Sequence, residues 1–204
     1  MKQDYANYTE AALWHAFKKG NDEAYAFIYR TYAPQLYNYG RHLSKDQPLV
    51  EDCLHDLFVH LYQHRSTLGE TDSIKFYLFR SLRRRIAESA QQQGKFTDST
   101  EEDGYRYTGV TPSPESLLIE DQSGQFQQQY LQEAMEQLPK RQRESLYLLY
   151  YNNLSYQEVA AIMSLEVRTV YNQVHNALNA LKKHLSKFPL HLLITLLLTG
   201  ATRL

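Results

Sequence analysis

Apolar residues in this sequence recur at intervals of three and four positions, which is the spacing of one buried face of an α-helix. The N-terminal half contains four such stretches. The first covers residues 9–20, the second starts at residue 21 or 22 and extends past Leu36, and the others cover residues 49–64 and 74–92. Four more follow in the C-terminal half, over residues 126–137, 140–151, 155–163 and 166–184. The sequence contains no convincing run of alternating β-branched residues bounded by turns. The pattern therefore predicts an all-α fold.

Capping residues and a helix breaker refine the first two of these helices. Thr9 has the side chain of a good N-cap for the first helix, and Asn21 or Asp22 can cap the second. Pro34 lies inside the second helix, where its ring and its missing N–H predict a kink.

Composition divides the chain into two helical parts joined by a polar connector. The segment "QQGKFTDSTEEDGYRYTGVTPSPES" is acidic and contains several glycines and prolines, and it has too little apolar surface to fold alone. A chain of 204 residues has room for two small domains. We therefore predict a helical domain over 1–93, a flexible acidic linker over 94–124, a helix-turn-helix domain over 125–188 and an apolar C-terminal tail over 189–204.

Composition and motifs also exclude several function classes. The net charge of −1 argues against nonspecific coating of nucleic acid. The single cysteine, Cys53, excludes an internal disulfide and a cysteine-cluster metal site, and we expect it to be buried. His60 and His64 share a helix face, but no third ligand is specified, so no metal is predicted. Because no Ser/His/Asp set or glycine-rich phosphate loop is present, we predict neither enzymatic activity nor a cofactor.

The C-terminal half contains the pattern of a helix-turn-helix. "SYQEVAAIM" opens with a capping box of Ser155 and Glu158, and "MSLE" has the length of the turn in such units. Amide and guanidinium side chains, which pair with adenine and guanine edges in the major groove, occupy much of the outer face of the next helix. The candidate readers are Arg168, Thr169, Asn172, Gln173 and Asn176, followed by the phosphate-binding candidates Lys182 and Lys183. An ordinary solvated helix surface is the alternative.

The helix over residues 74–92 interleaves aromatic and cationic side chains in "IKFYLFRSLRRRIAE". Bases stack on aromatic rings while cations follow the phosphate backbone, so this composition is typical of a surface for single-stranded or melted nucleic acid. The alternative is a core aromatic stripe with solvated arginines. The sequence alone does not decide for both Phe76 and Phe79 whether they lie in the core or on the surface.

The order of these parts resembles the extracytoplasmic-function sigma factors of the sigma-70 family, from about residue 9 to residue 188. In that family a helix similar to "VEDCLHDLFVHLYQHR" binds the clamp helices of the polymerase β′ subunit. The resemblance implies that the polymerase contacts are Asp52, His55, Asp56 and Phe58. His55 stands where the family usually has glutamine.

The same resemblance assigns the DNA contacts. The loop over residues 65–73 corresponds to the one that captures a flipped base of the −10 element, and the helix after it melts the duplex. The implied −10 residues are Arg65, Lys75, Tyr77, Arg80, Arg83 and Arg84. The implied −35 residues are Arg168, Thr169, Asn172, Gln173, Asn176, Lys182 and Lys183.

The stretch "MKQDYANYTE" has no apolar core of the kind that drives secretion and the composition is ordinary, so we expect a cytoplasmic location. The resemblance implies three kinds of partner. The partners are core RNA polymerase, through its β′ clamp helices and β flap, promoter DNA and an anti-sigma factor. Two alternatives remain, namely a stand-alone helix-turn-helix regulator and a membrane-associated signalling adaptor. The second is suggested by the tail "FPLHLLITLLLTGATRL", whose apolar run is well short of the ~20 residues that span a bilayer, so no stable membrane insertion is expected.

Overall fold

The computed structural model describes residues 8–92, 131 and 133–184. The chain divides into two compact units, Met1–Asp98 and Ser99–Leu204. Every regular element within the described residues is a helix, which confirms the all-α prediction. The proposed linker over 94–124 and the tail over 189–204 lie outside the described residues, as does half of the predicted helix over 126–137.

Within residues 8–92, unit 1 contains four helices, each of which begins at a residue that provides a local capping group. They are α1 (Glu10–Lys18), α2 (Asp22–Leu43), α3 (Gln47–His64) and α4 (Ile74–Gln92). Thr9 and Asn21 accept hydrogen bonds from backbone amides in the first turns of α1 and α2, as predicted. The third helix begins two residues earlier than predicted, because Asp46 caps it and Pro48 fits the first turn.

The core of unit 1 is built where α2, α3 and α4 pack on one another and α1 packs on α2 and α4. Trp14, Phe17 and Tyr39 are among its largest fully buried side chains. Gly40 marks a close approach between α2 and α3, since an added Cβ would meet Val50 Cγ1 at 2.5 Å. The second helix continues through Pro34 as one assigned element, so the kink there stays a prediction.

One carboxylate joins three helices of unit 1. Glu10, in the first turn of α1, accepts a hydrogen bond from the Tyr32 hydroxyl at 2.7 Å. Its second oxygen accepts one from the backbone N of Ile74, the first residue of α4, at 2.6 Å. Burial and the hydrogen bond to Glu10 raise the pKa of Tyr32, so this hydroxyl keeps its proton at neutral pH. Glu10 therefore fixes the start of α4 from a position 64 residues away.

We expect Glu10→Ala to destabilise unit 1 by about 1–3 kcal/mol, because a partly buried hydroxyl and an amide lose their acceptor. Trp14 is the only tryptophan and is fully buried, so its fluorescence during urea unfolding reports on this unit. Glu51→Ala is the control, because Glu51 is exposed and accepts a hydrogen bond from its helix neighbour Gln47. We expect this variant to change the free energy of unfolding by no more than about 0.5 kcal/mol. Equal changes in the free energy of unfolding for the two variants would contradict the linking role of Glu10.

In unit 2, three α-helices and one π-helical turn have bounds that fall entirely within the described residues. They are α5 (Lys140–Leu146), the π-turn (Tyr147–Tyr151), α6 (Tyr156–Met163) and α7 (Val167–His184). The sequence predicts one α-helix over residues 140–151, whereas the last turn widens at Tyr147. The buried Asn152 closes this wider turn, since its backbone N and side-chain Nδ2 both donate to the Tyr147 carbonyl at 3.2 Å.

The α6–α7 pair confirms the helix-turn-helix pattern. Both halves of the predicted capping box form, with Glu158 N donating to Ser155 Oγ at 3.2 Å and Ser155 N donating to Glu158 Oε2 at 2.8 Å. The turn contains Ser164 in the left-handed region at φ 55°, which ends α6 sharply. Val170 and Val174 of α7 face the interior, and α7 packs on both α5 and α6.

Candidate nucleic-acid and polymerase interfaces

The outer face of α7 presents three of the predicted base-reading side chains together. Arg168, Asn172 and Asn176 are all exposed and follow one another at intervals of four residues. Thr169 is half-buried beside them. Lys182 and Lys183 are exposed in the last turn, where they also complement the carbonyl end of the helix. The structure therefore brings these polar side chains onto one continuous surface.

Gln173 is the exception among the predicted readers. It is half-buried on the flank of α7, and its Oε1 accepts a hydrogen bond from Ser145 Oγ at 2.7 Å. Ser145 belongs to α5 and is fully buried. Sequence reasoning missed this contact, because nothing in the local pattern relates two residues 28 positions apart.

Tyr171 is a surface residue that sequence reasoning also missed. It is 51% exposed on α7, one turn after Arg168, and its ring stacks on that of Tyr156 at the start of α6 with centroids 3.9 Å apart. Burial, together with the nearby Tyr150 and Tyr171, raises the pKa of Tyr156. The helical position of Tyr171, three residues from Arg168, was the signal that could have revealed it.

The cationic face of α4 differs in detail from the prediction. Arg80 and Arg84 are exposed, whereas Lys75 and Arg83 are half-buried. Arg84 Nε lies 2.6 Å from Glu88 Oε1 in an exposed ion pair. The Arg80 guanidinium carbon lies 6.0 Å from the centroid of the Phe76 ring. The face thus offers cations together with one partly accessible aromatic ring.

The other aromatic residues of α4 have structural roles. Phe79 is fully buried with its ring centroid 5.0 Å from that of Tyr39, so Phe79 belongs to the core and Phe76 to the partly exposed face. Tyr77, a predicted −10 residue, is half-buried with its ring centroid 5.2 Å from that of Trp14. Burial raises the pKa of Tyr77.

The loop after α3 is fastened to α1 and begins beside a cationic cleft. Trp14 Nε1 donates to the Gly69 carbonyl at 2.9 Å, and Lys18 forms an ion pair with Glu70. Arg65, the predicted first residue of the DNA-binding loop, lies over the Tyr62 ring at 4.4 Å. The open cleft has a volume of about 330 Å³ and is lined by Lys18, Lys19, Gly20, Gln63, Arg65 and Ser66.

The acidic face of α3 is accessible, with one correction. Asp52, His55 and Asp56 are exposed, and His55 Nδ1 lies 3.6 Å from Asp56 Oδ1. Phe58 was expected at the polymerase contact, but it is only 2% exposed and packs against Tyr29 with ring centroids 4.7 Å apart. Position 58 falls on the side of α3 that meets α2, so Phe58 positions the acidic face and does not belong to it.

The described residues form neither a metal site nor a membrane-spanning helix. Within residues 8–92, 131 and 133–184, no group of three or more His, Cys, Asp and Glu residues is arranged to hold a metal ion. His60 and His64 stack with ring centroids 4.2 Å apart. Among the helices that the structure describes, none is long and apolar enough to cross a membrane.

Two family models match the chain, one in each unit. The model for sigma-70 region 2 matches residues 28–96, and the model for sigma-70 region 4 matches residues 128–181. The first match includes α3 and α4, and the second includes α5, α6 and α7. The candidate surfaces on α3, α4 and α7 therefore all lie inside matched segments.

Three curated relatives are extracytoplasmic-function (ECF) RNA polymerase sigma factors. SigE of Mycolicibacterium smegmatis is 23% identical over 78% of this chain, and the chain spans 61% of that relative's length. SigM of Bacillus subtilis is 26% identical, with 76% of this chain and 91% of the relative covered. RpoE of Cereibacter sphaeroides is 23% identical, with 86% of this chain and 94% of the relative covered.

Two solved structures share the fold. The first is the sigma factor RpoE in complex with the anti-sigma factor NepR from Bartonella quintana. It has a TM-score of 0.53 and 20% identity, and the match covers 78% of this chain and 94% of that one. The second is CnrH in complex with the cytosolic domain of CnrY. It has a TM-score of 0.58 and 16% identity, and the match covers 89% of this chain and 100% of that one.

Proposed function

The chain belongs to the sigma-70 family and is an RNA polymerase sigma factor of the extracytoplasmic-function type, and we propose how its two units share promoter recognition. Unit 2 reads the −35 element as duplex through α7. Unit 1 binds the −10 region through α4 and the loop over residues 65–73, and binds core RNA polymerase through the acidic face of α3. The factor selects and melts a promoter and catalyses no reaction itself.

The observation that carries this proposal is the composition of the exposed α7 surface. Arg168, Asn172 and Asn176 offer the bidentate groups that pair with guanine and adenine edges. No lysine or arginine occurs between Arg168 and Lys182, although phosphate neutralisation supplies most nonspecific affinity for DNA. Such a helix discriminates between bases but binds weakly alone, so it needs a tether. Core polymerase supplies that tether by raising the effective concentration of α7 near the promoter.

The exposed cations of α4 suit the −10 strand. Arg80 and Arg84, with the half-buried Lys75 and Arg83, follow the phosphates, and the partly exposed Phe76 ring offers a stacking surface. Extruding a base costs a few kcal/mol of unstacking energy, which a prearranged loop can help to offset. The Trp14–Gly69 hydrogen bond and the neighbouring ion pair hold the loop in place before DNA arrives.

The proposed protein partners follow from the exposed acidic face and from the relatives. Asp52, His55 and Asp56 meet the β′ clamp helices of core polymerase, and the β flap is the second proposed contact. Since two structures of the same fold are complexes with NepR and with CnrY, an anti-sigma factor is a further proposed partner. The proposed location is the cytoplasm, where core polymerase and DNA are found.

Comparison of DNA binding with and without core polymerase tests the proposed division of labour. On a duplex with both promoter elements, the chain alone should bind at least about 100-fold more weakly than the chain assembled with core, as expected for a tethered domain. A stand-alone helix-turn-helix regulator would bind its operator tightly without polymerase. Equal affinities with and without core would therefore favour that alternative.

A further inference from the structure

We infer that Ser145 is a positioning residue for promoter recognition, because its buried hydroxyl decides which end of the Gln173 amide is offered to DNA. The inference rests on the proposed reading of the −35 element by α7. It adds a specificity-determining residue from α5, a helix whose sequence contributes none of the predicted readers.

The buried Ser145 hydroxyl has three potential hydrogen-bond acceptors close to it. Ser145 is fully buried, and its Oγ lies 2.7 Å from Gln173 Oε1, 2.9 Å from the Arg141 carbonyl oxygen and 3.4 Å from Met163 Sδ. A serine hydroxyl has one proton to donate, and thioether sulfur is a weak acceptor. The Gln173 and Arg141 oxygens therefore compete for that proton.

The geometry assigns the proton to Gln173. The distance of 2.7 Å is the usual length of an O–H···O hydrogen bond and shorter than most N–H···O bonds. The Gln173 oxygen thus faces the protein interior. Within the part of the chain that the structure describes, the Nε2 group of Gln173 makes no hydrogen bond, so it is left to donate to a partner outside the protein.

A glutamine held in this way reads DNA differently from a free one. Bidentate pairing with adenine uses both the amide oxygen and the amide nitrogen. Because Oε1 is turned toward Ser145 in the interior, the outward end of the Gln173 amide is Nε2, which only donates and so matches bases that present acceptors. Guanine is favoured because its N7 and O6 are adjacent acceptors in the major groove. The exposed amides of Asn172 and Asn176 make no hydrogen bond to a described residue, so these side chains keep both groups for adenine.

Base preference separates this role from a merely structural one. Removing the Ser145 hydroxyl loosens the contact between α5 and α7 in either case. Only the positioning role changes which base is preferred at a single position, because the released Gln173 amide can then turn and pair bidentately with adenine.

The test uses the chain assembled with core polymerase on templates with a randomised −35 region, followed by sequencing of the transcribed templates. The unmodified chain should prefer guanine at the position that Gln173 reads. Ser145→Ala should shift that one position toward adenine by about tenfold, which is within the range for one bidentate pair. Gln173→Ala should remove the base preference at the same position, and the double variant should resemble Gln173→Ala.

A variant with a side chain of similar volume controls for an effect of Ser145→Ala on the folding of unit 2. Ser145→Cys keeps a side chain of similar size but has a weak donor, so it should shift base preference in the same direction as Ser145→Ala. Thermal unfolding of each variant shows whether unit 2 is intact. The Asn172→Ala variant should alter a different −35 position and leave the Gln173 position unchanged.

The possible outcomes distinguish the inference from the function on which it rests. If Gln173→Ala flattens one position but neither Ser145 variant changes preference there, Ser145 has only a structural role. If Gln173→Ala changes no position while Asn172→Ala does, Gln173 is not a reader and the inference fails, but the −35 role of α7 stands. If no α7 variant changes any −35 position, the proposed function of unit 2 is itself wrong.

Discussion

Replacing Arg83 and Arg84 together with alanine is expected to lower promoter opening by about 100-fold or more. Each arginine can make charge-assisted hydrogen bonds to phosphate worth about 1.5–3 kcal/mol, and about 1.4 kcal/mol corresponds to a factor of ten. Separating Arg84 from Glu88 costs little, because solvent screens the attraction between two exposed charged side chains. The fluorescence of 2-aminopurine placed in the −10 element, measured with the holoenzyme, follows strand opening directly.

The salt dependence of opening gives this prediction a second readout. Losing two contacts to single-stranded phosphates should reduce the slope of log affinity against log salt by about 1.4. The control is Arg30→Ala with Lys45→Ala, which removes the same charge from exposed positions outside α4. Opening that stays intact at every salt concentration in the α4 variant would remove Arg83 and Arg84 from the melting surface.

Reversing the charge of Asp52 and Asp56 to lysine is expected to weaken binding to core polymerase by at least about 100-fold. Both side chains are exposed on α3, so the substitution leaves the core of unit 1 unchanged. Like charges brought together in an interface cost several kcal/mol, and about 2.8 kcal/mol is a factor of one hundred. Titration of labelled protein with core polymerase measures the change in Kd.

The matched control carries the same change in charge elsewhere on unit 1. Asp22→Lys with Glu23→Lys also replaces two exposed acidic side chains, both in the first turn of α2. This variant should bind core polymerase within a few-fold of the unmodified chain. A similar loss in both variants would mean that net charge, and not the α3 face, determines binding.

The parts of the fold that the sequence could predict depend on local interactions. The bounds of α4 agree with the prediction, and its first turn begins where Ser73 Oγ accepts a hydrogen bond from Phe76 N at 3.1 Å. The capping box of α6 was likewise readable, because Ser155 and Glu158 are only three residues apart. Such signals require only neighbouring residues.

The contacts that the sequence could not predict join distant residues. Nothing local relates Glu10 to Ile74 or Ser145 to Gln173, although the first pair fixes the start of α4 and the second restrains a proposed base reader. The polymerase contact expected of Phe58 rested on the family resemblance and not on the helical pattern. The apolar side chain of Phe58 belongs to the stripe of α3 that faces the core, and the structure buries it there.

Transcription from a random-sequence promoter library, using purified core polymerase with and without this chain, tests the central claim most directly. We expect run-off transcripts that depend on the chain, and alignment of their templates should reveal two separated conserved elements, one for each unit. Core polymerase that gives no chain-dependent transcripts, while the chain alone binds a selected duplex tightly, would contradict the division of promoter recognition between the two units.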